Sequence, residues 1–476
     1  MFTTSRLALV LLVTSAGISS FASAGNQGLR KKKLGDKKTY IANIHEGVDR
    51  QLSTSIHYSQ MGAGIDGHTQ DDALGKSVAI SKDGLRVAIA APGEESGKGV
   101  TRILDWEQSL QEWVQVGQDI VGLGAKDGLG WSMDMNEDGS RIVLGAPEAN
   151  NDDGFMSVYE LDSASNKWQL LGSEINPETG TKGQAGVDVA MSATGDRVAF
   201  GAPRTNGYMG RVSAFQLVSG QWVPLGQNIE GQNIDDDDYS DDYYSYYYTY
   251  PPYSGASIAM AADGNRLVIG GRRGSLSKGH ITIYDYDGGS SQWVLNDQID
   301  GQDYYDRFGG DVDISEDGSR IVVGAFTSDG QSAGLDDAGE VSIFEYDGSN
   351  WNILGQQIIG AAIKDRMGES VAISGDGTHI AVSSPQSDEN GSNTGKVEVY
   401  KFSEVDQAWL PKGNDIVGDC KQDRFGEGGG AVALDHSGAH VAVGAQRGRN
   451  YYGISRVYEA LAGAGDGTSG STNNCV

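Results

Sequence analysis

Carboxylates are the side chains of this sequence with the most evident chemistry. Five aspartates, Asp72, Asp127, Asp306, Asp365 and Asp423, each stand two residues ahead of an apolar-Gly pair. Set around one mouth of a channel, such a series would attract a hard cation, and calcium is the natural candidate for an all-oxygen site. The same residues also suit a local role, in which each carboxylate accepts backbone N–H groups where a strand begins. The local role is the expectation, with calcium weakly held if it binds.

A second concentration of acid lies in Asp235, Asp236, Asp237, Asp238, Tyr239, Ser240, Asp241 and Asp242, followed by Tyr243, Tyr244 and further tyrosines up to Tyr253. Six carboxylates in eight residues repel one another and stay solvated, so this segment reads as an insertion rather than core. It suits weak calcium binding, a basic partner, or sulfation at Tyr239, Tyr243 and Tyr244. Its tyrosines supply the amphipathic contact area found at interfaces.

Enzyme signatures are missing. The seven histidines form no His-x-x-x-His pair, and there is neither a Gly-x-Ser-x-Gly elbow nor a phosphate loop ahead of a helix. Asp and Gly are adjacent in the recurring turns and no Trp follows, so a sialidase Asp-box is excluded. With Lys+Arg 36 against Asp+Glu 65 the formal charge is −29, which opposes nucleic acid and anionic lipid as partners.

The N-terminus has the grammar of a secretory signal: Arg6, the apolar run Leu7 to Val13, then small residues to Ala24, where cleavage is expected. The chain is therefore expected to be secreted and extracellular. No other window reaches spanning length. Residues 25–55 read as a basic, mostly disordered arm and 462–476 as a Gly/Ser-rich tail. Cys420 and Cys475 allow a single disulfide, worth about 4 kcal/mol on the chain-entropy model. Asn390-Gly-Ser392 is a glycosylation sequon in a polar loop.

What positions these groups is a repeat. Its clearest copy runs Asp306-Arg-Phe-Gly309, Asp311 to Ser315, Glu316-Asp-Gly318, Arg320 to Ala325, Gly339 to Tyr346, then Trp351 to Gly355 and Ile358 to Gly360. Seven copies follow one another, marked by Gly-Ala-Pro or its variants and by Trp113, Trp168, Trp222, Trp293, Trp351 and Trp409. Asp-Gly pairs such as Asp83-Gly84 and Asp317-Gly318 are hairpin signals. Four short strands per copy at this period predict an all-β, seven-bladed β-propeller over residues 56–461, with the acidic insertion at 232–253.

The seventh copy lacks its Trp-containing strand. Tyr58-Ser-Gln-Met-Gly62-Ala-Gly-Ile65-Asp-Gly67, ahead of the first copy, has that strand's spacing. An N-terminal strand completing the last blade is the expected closure, since it leaves no open edge. The recurring Trp is expected to pack between blades.

Phe308-Gly309 and Phe425-Gly426, with Leu74-Gly75, Leu129-Gly130 and Met367-Gly368 as variants, followed by Gly-Ala-Pro, resemble the FG-GAP repeat of integrin α-subunit propellers. The resemblance covers residues 58–459 and implies an extracellular propeller used for adhesion or ligand binding, often with calcium in loops. The sequence departs from that pattern: Arg86, Arg141, Arg197, Arg266 and Arg320, or His379 and His440, stand where a calcium loop needs a carboxylate. The turns therefore read as plain hairpins of a calcium-poor variant. The functional expectation is a non-enzymatic scaffold for an extracellular protein or glycan, a basic one included. A carbohydrate-active hydrolase using channel-mouth acids is the alternative.

Overall fold

The computed structural model describes residues 56–177, 179–232, 251–273, 277–330 and 335–462. Ala24, the basic arm, the insertion from Asp235 to Tyr244, and Cys475 in the tail lie outside the described residues. Within them the chain forms seven antiparallel sheets in a ring, a seven-bladed β-propeller.

Each blade starts at the centre and works outward. The innermost strands are Val78–Ile80, Met133–Met135, Asp188–Met191, Ser254–Met260, Asp311–Ile314, Val371–Ile373 and Val432–Leu434. Second strands such as Arg86–Ala91 and Arg320–Ala325 are apolar at successive positions because both faces of the sheet are covered by neighbouring blades. Seven separate hydrophobic clusters result, one at each interface between blades.

The ring is closed where the sequence predicts. Ile56–Gln60 pairs antiparallel with the last strand, Ile454–Ala462, with Tyr58 opposite Ala460, and Ile65–Asp66 pairs with Ser455 and Ile454. One detail differs from the sequence reading. The Trp-to-Ile unit is not one strand in most blades: at Gly117, where φ is +71°, it breaks into Glu112–Gln115 and Ile120–Val121, both paired with Val100–Glu107. The left-handed backbone at that glycine turns the ladder aside. Blade four lacks the glycine and one residue of the unit, and there Gln292–Asp300 runs unbroken through a register shift.

Two sets of bonds tie blades together. The indole nitrogens of Trp113, Trp168, Trp222, Trp293 and Trp409 each donate to a carbonyl of the preceding blade, at 2.8–3.1 Å. The arginines that occupy the would-be calcium position work in the opposite direction. Arg266 grips Asp285 of its own blade at 2.7 and 3.0 Å and donates to the Gly318 carbonyl of the next blade's turn at 2.7 Å. Arg86 and Arg320 repeat this with Gly139 and Gly377, both at 3.0 Å. The turn aspartates bind their own backbone: Asp83 accepts from Leu85 N–H at 3.0 Å and Asp317 from Ser319 N–H at 2.9 Å.

Candidate functional site

The channel has two unlike mouths. At one, the turns between first and second strands join in a ring of backbone hydrogen bonds, one per blade: Lys82 to Glu137, Glu137 to Ala193, Ala193 to Ala262, Ala262 to Glu316, Glu316 to Gly375, Asp376 to His436, and His436 to Lys82. Inside that ring Lys82 reaches Glu137 and, at 3.2 Å, Glu316, which also lies 2.8 Å from His436. This end carries a charged plug.

Above it the inner strands enclose a cavity of about 250 Å³. The innermost strand of any blade has one edge without a ladder partner, so its N–H groups need acceptors. Aspartates supply them across the blade boundary. Asp134 accepts from Met191 at 2.7 Å, Asp188 from Ile258 at 2.7 Å, Asp311 from Val371 at 2.9 Å and Asp313 from Ile373 at 2.8 Å. Burial raises all four carboxyls, to about 6 for Asp134, about 8 for Asp188 and about 7 for Asp311 and Asp313. Lys76 stands in the neck, 9% exposed, with its ammonium 4.8 Å from the centre of the Trp131 ring. Burial lowers its pKa, while Asp188, Asp311, Glu369 and Glu427 pull it back up.

The other mouth is built from the turns that enter the inner strands, and these hold the five aspartates singled out in the sequence. They line no common site. Each accepts the N–H three residues earlier: Asp72 from Thr69 at 2.6 Å, Asp127 from Gly124 at 2.7 Å, Asp423 from Cys420 at 2.9 Å, Asp306 from Asp303 and Asp365 from Ala362. Among the described residues no three His, Cys, Asp or Glu side chains are grouped to hold a metal ion. Burial raises the pKa of Asp306, Asp365 and Asp423. For Asp306, burial and the neighbouring Asp303 take it to about 7, and burial with Asp306 raises Glu340 to about 7, around a cavity of about 20 Å³.

The residue two places before each entry-turn glycine has more to offer. In all seven turns it adopts a left-handed backbone: Ala73, Gly128, Gln184, Tyr253, Arg307, Arg366 and Arg424 have φ between 51° and 65°. Only one is glycine, so six positions carry backbone strain of about 1–2 kcal/mol each. The two-residues-on glycine is obligatory for a different reason; a Cβ on Gly309 would stand 2.4 Å from the His280 carbonyl oxygen.

Four of these side chains form an arc over blades four to seven. Arg273 and Arg272 lie over the Tyr253 ring at 4.4 and 5.9 Å, and Arg366 and Arg307 over Phe326 at 4.9 and 5.4 Å. Arg424 pairs with Glu427 at 2.8 Å and Arg366 with Glu369 at 3.4 Å. Among the described residues no carboxylate forms an ion pair with Arg272, Arg273 or Arg307. Burial first, and then the like charges of Arg273 and Arg307, lower the pKa of Arg272; burial, Arg366 and Arg273 do the same to Arg307.

Neither the channel aspartates nor this arc was singled out from sequence. The signal for the arc was present, since Asp-Arg-apolar-Gly recurs at 306–309, 365–368 and 423–426. Asn390 lies exposed, its side-chain amide donating to Gly418 at 3.2 Å. Cys420 is not free.

No family model matches this chain, and no curated protein matches it. Two solved structures are among those to which the chain shows a distant likeness. A Bacteroides uniformis structure provisionally named a 6-phosphogluconolactonase is 13% identical, with a TM-score of 0.49, over 75% of this chain and 88% of its own. The hydrazine synthase of Kuenenia stuttgartiensis is 14% identical, with a TM-score of 0.49, over 82% of this chain and 97% of its own.

Proposed function

We propose that this chain is a secreted, non-catalytic binding module of the FG-GAP propeller group, and that it captures an extracellular partner on the rim of entry turns of blades four to seven. The observation that carries this reading is the left-handed backbone at Tyr253, Arg307, Arg366 and Arg424. Strain at a position where glycine would be free of it fits a side chain retained for contact rather than for folding. The signal-like N-terminus, with its expected cut at Ala24, supports the extracellular setting.

The hydrolase alternative finds less support. Asp306 and Glu340 have the raised pKa values of an acid pair, but a space of about 20 Å³ is that of a water and not a sugar ring. The channel aspartates already accept hydrogen bonds from neighbouring strands.

Capture from an extracellular fraction tests the proposal, comparing the intact protein with an Arg307→Gln/Arg366→Gln variant, with and without chelator. The partner should be retained by the first and lost from the second. Equal retention would overturn the rim as the binding face. A variant lacking residues 235–250 separately measures what the acidic insertion adds to capture.

A further inference from the structure

The residues that follow the seven entry glycines stand at the neck of the channel, and they are unequal in size. Lys76, Trp131, Glu369 and Glu427 come from blades one, two, six and seven, whereas Val187, Ala256 and Gly310 come from blades three to five. Among the described residues the neck is crowded on one side and open on the other.

The crowded side also has a roof. From the entry glycine to the next turn the chain takes six steps in blade six, Gly368 to Ser374, and nine in blade seven, Gly426 to Asp435. The surplus is Gly428-Gly429-Gly430. Val78 N–H donates to the Gly430 carbonyl at 2.9 Å, and a Cβ on Gly429 would stand 3.1 Å from Asp311 Oδ1, so this insert reaches the inner strands of blades one and five.

Lys76 points into the lumen. Asp188, Asp311, Glu369 and Glu427, from blades three, five, six and seven, all act on its charge, and its ammonium lies 4.8 Å from the centre of the Trp131 ring of blade two. Only a group near the channel axis is within reach of so many blades. Yet Lys76, 9% exposed, forms no hydrogen bond and no direct ion pair among the described residues. The four acids balance its charge from a distance and leave its three N–H donors unused.

Acceptors stand below it, around the cavity of about 250 Å³. Asp188 accepts from Val189 N–H at 3.0 Å and Ile258 N–H at 2.7 Å, and Asp311 from the Ser257 hydroxyl at 3.1 Å and Val371 N–H at 2.9 Å. One donor at each oxygen leaves open about half of the roughly four lone-pair positions of a carboxylate.

We infer that this chamber is a second binding site, separate from the rim and not catalytic, for a small neutral polyol. A hydroxyl accepts from an ammonium and donates to a carboxylate, so it bridges a gap too wide for a direct pair. Size agrees. The cavity equals the share of about eight liquid waters at about 30 Å³ each, below the range for drug-sized ligands. Charged ligands fit less well. A metal ion is opposed by Lys76 and finds no three ligating side chains grouped among the described residues, and a small anion is opposed by Asp134, Asp188, Asp311 and Asp313. An apolar molecule would leave these polar groups unmet.

Isothermal titration of the full chain tests this, with glycerol, erythritol and myo-inositol as polyols, putrescine and malonate as charged controls, and saturation-transfer NMR as a second readout. Saturable binding of at least one polyol is expected, with both charged controls ten-fold weaker or worse. Lys76→Met removes the donors and should lower affinity ten-fold or more. Ala256→Phe leaves the chamber lining intact and fills the open side of the neck, so it should lose a similar factor. Lys167→Gln, on the exposed outer strand of blade two, and the rim variant Arg307→Gln/Arg366→Gln should bind as the wild type does.

Thermal unfolding of each variant separates loss of the site from loss of the fold. Absence of saturable binding for all three polyols would mean a chamber filled by water alone and would overturn the inference. So would tighter binding of putrescine or malonate, or wild-type affinity in both folded neck variants. Because the rim variant spares the chamber, failure here leaves the rim as the binding face untouched.

Discussion

The hydroxyl of Tyr58, in the first described strand, donates a 3.0 Å hydrogen bond to the carbonyl of Gly438, in a turn of the seventh blade. Its ring packs against Gly413 as the Trp168 ring packs against Gly117, so tyrosine occupies the tryptophan slot of the blade that has no tryptophan. Tyr58 is 4% exposed. Replacing it by alanine should cost about 3–5 kcal/mol, the range for deleting a buried aromatic side chain. Tyr58→Phe should cost only about 1 kcal/mol, for the lost hydrogen bond. Equilibrium urea unfolding separates the two, and near-equal midpoints for wild type and Tyr58→Ala would mean that the latch does not hold the ring.

Arg266 couples blades four and five through Gly318 while its guanidinium also stacks on Tyr346 and Trp351, at 4.7 and 5.4 Å. A lysine keeps the charge and loses both the fork and the planar stacking. Arg266→Lys should therefore lower stability by about 2 kcal/mol, the scale of hydrogen bonds to charged partners. Unfolding midpoints should be insensitive to calcium chelation in both proteins if arginine holds the place of the ion. A large chelator effect on the wild type would argue against this.

The channel carboxyls make stability depend on pH with a definite sign. Their folded pKa values lie above the usual aspartate value, so between the two the folded state holds more protons than the unfolded one. The stability of the neutral carboxyls is complete below about pH 4 and is lost as pH rises toward 6, 7 and 8. Asp188→Asn removes the group that reaches highest. Its melting temperature should match the wild type near pH 4 and exceed it at pH 8, and a variant less stable at pH 8 would refute the sign.

The strained rim offers a test in which stability and binding part company. Arg307 has φ 57°, a conformation that glycine adopts without steric cost. Arg307→Gly should leave the melting temperature unchanged or raise it, because the relief of about 1–2 kcal/mol offsets glycine's larger loss of chain entropy. Ligand affinity should fall at the same time. A marked drop in melting temperature would assign Arg307 a structural role.

The expected leader is checked by N-terminal sequencing of protein recovered from the medium of expressing cells. The mature chain should begin at Gly25, after Ala24. Recovery in the cell pellet only, with Met1 retained, would count against secretion.

Repetition made the architecture legible in the sequence. Seven copies of one unit and a missing strand found at the opposite end, Tyr58 to Gly67, determine both the number of blades and the way they close, because an unpaired edge has few other solutions. Arg86 and its counterparts were readable as unfit for calcium, though not as ties between blades. The site was another matter. Asp134, Asp188, Asp311 and Asp313 look like ordinary strand residues until closure sets each beside a backbone N–H of the next blade. Arg272, Arg307 and Arg366 lie 35 to 94 positions apart in the chain and gather only on the rim. Local spacing records what a residue does within its own blade; what it does across a blade boundary depends on curvature, which the closed ring alone decides.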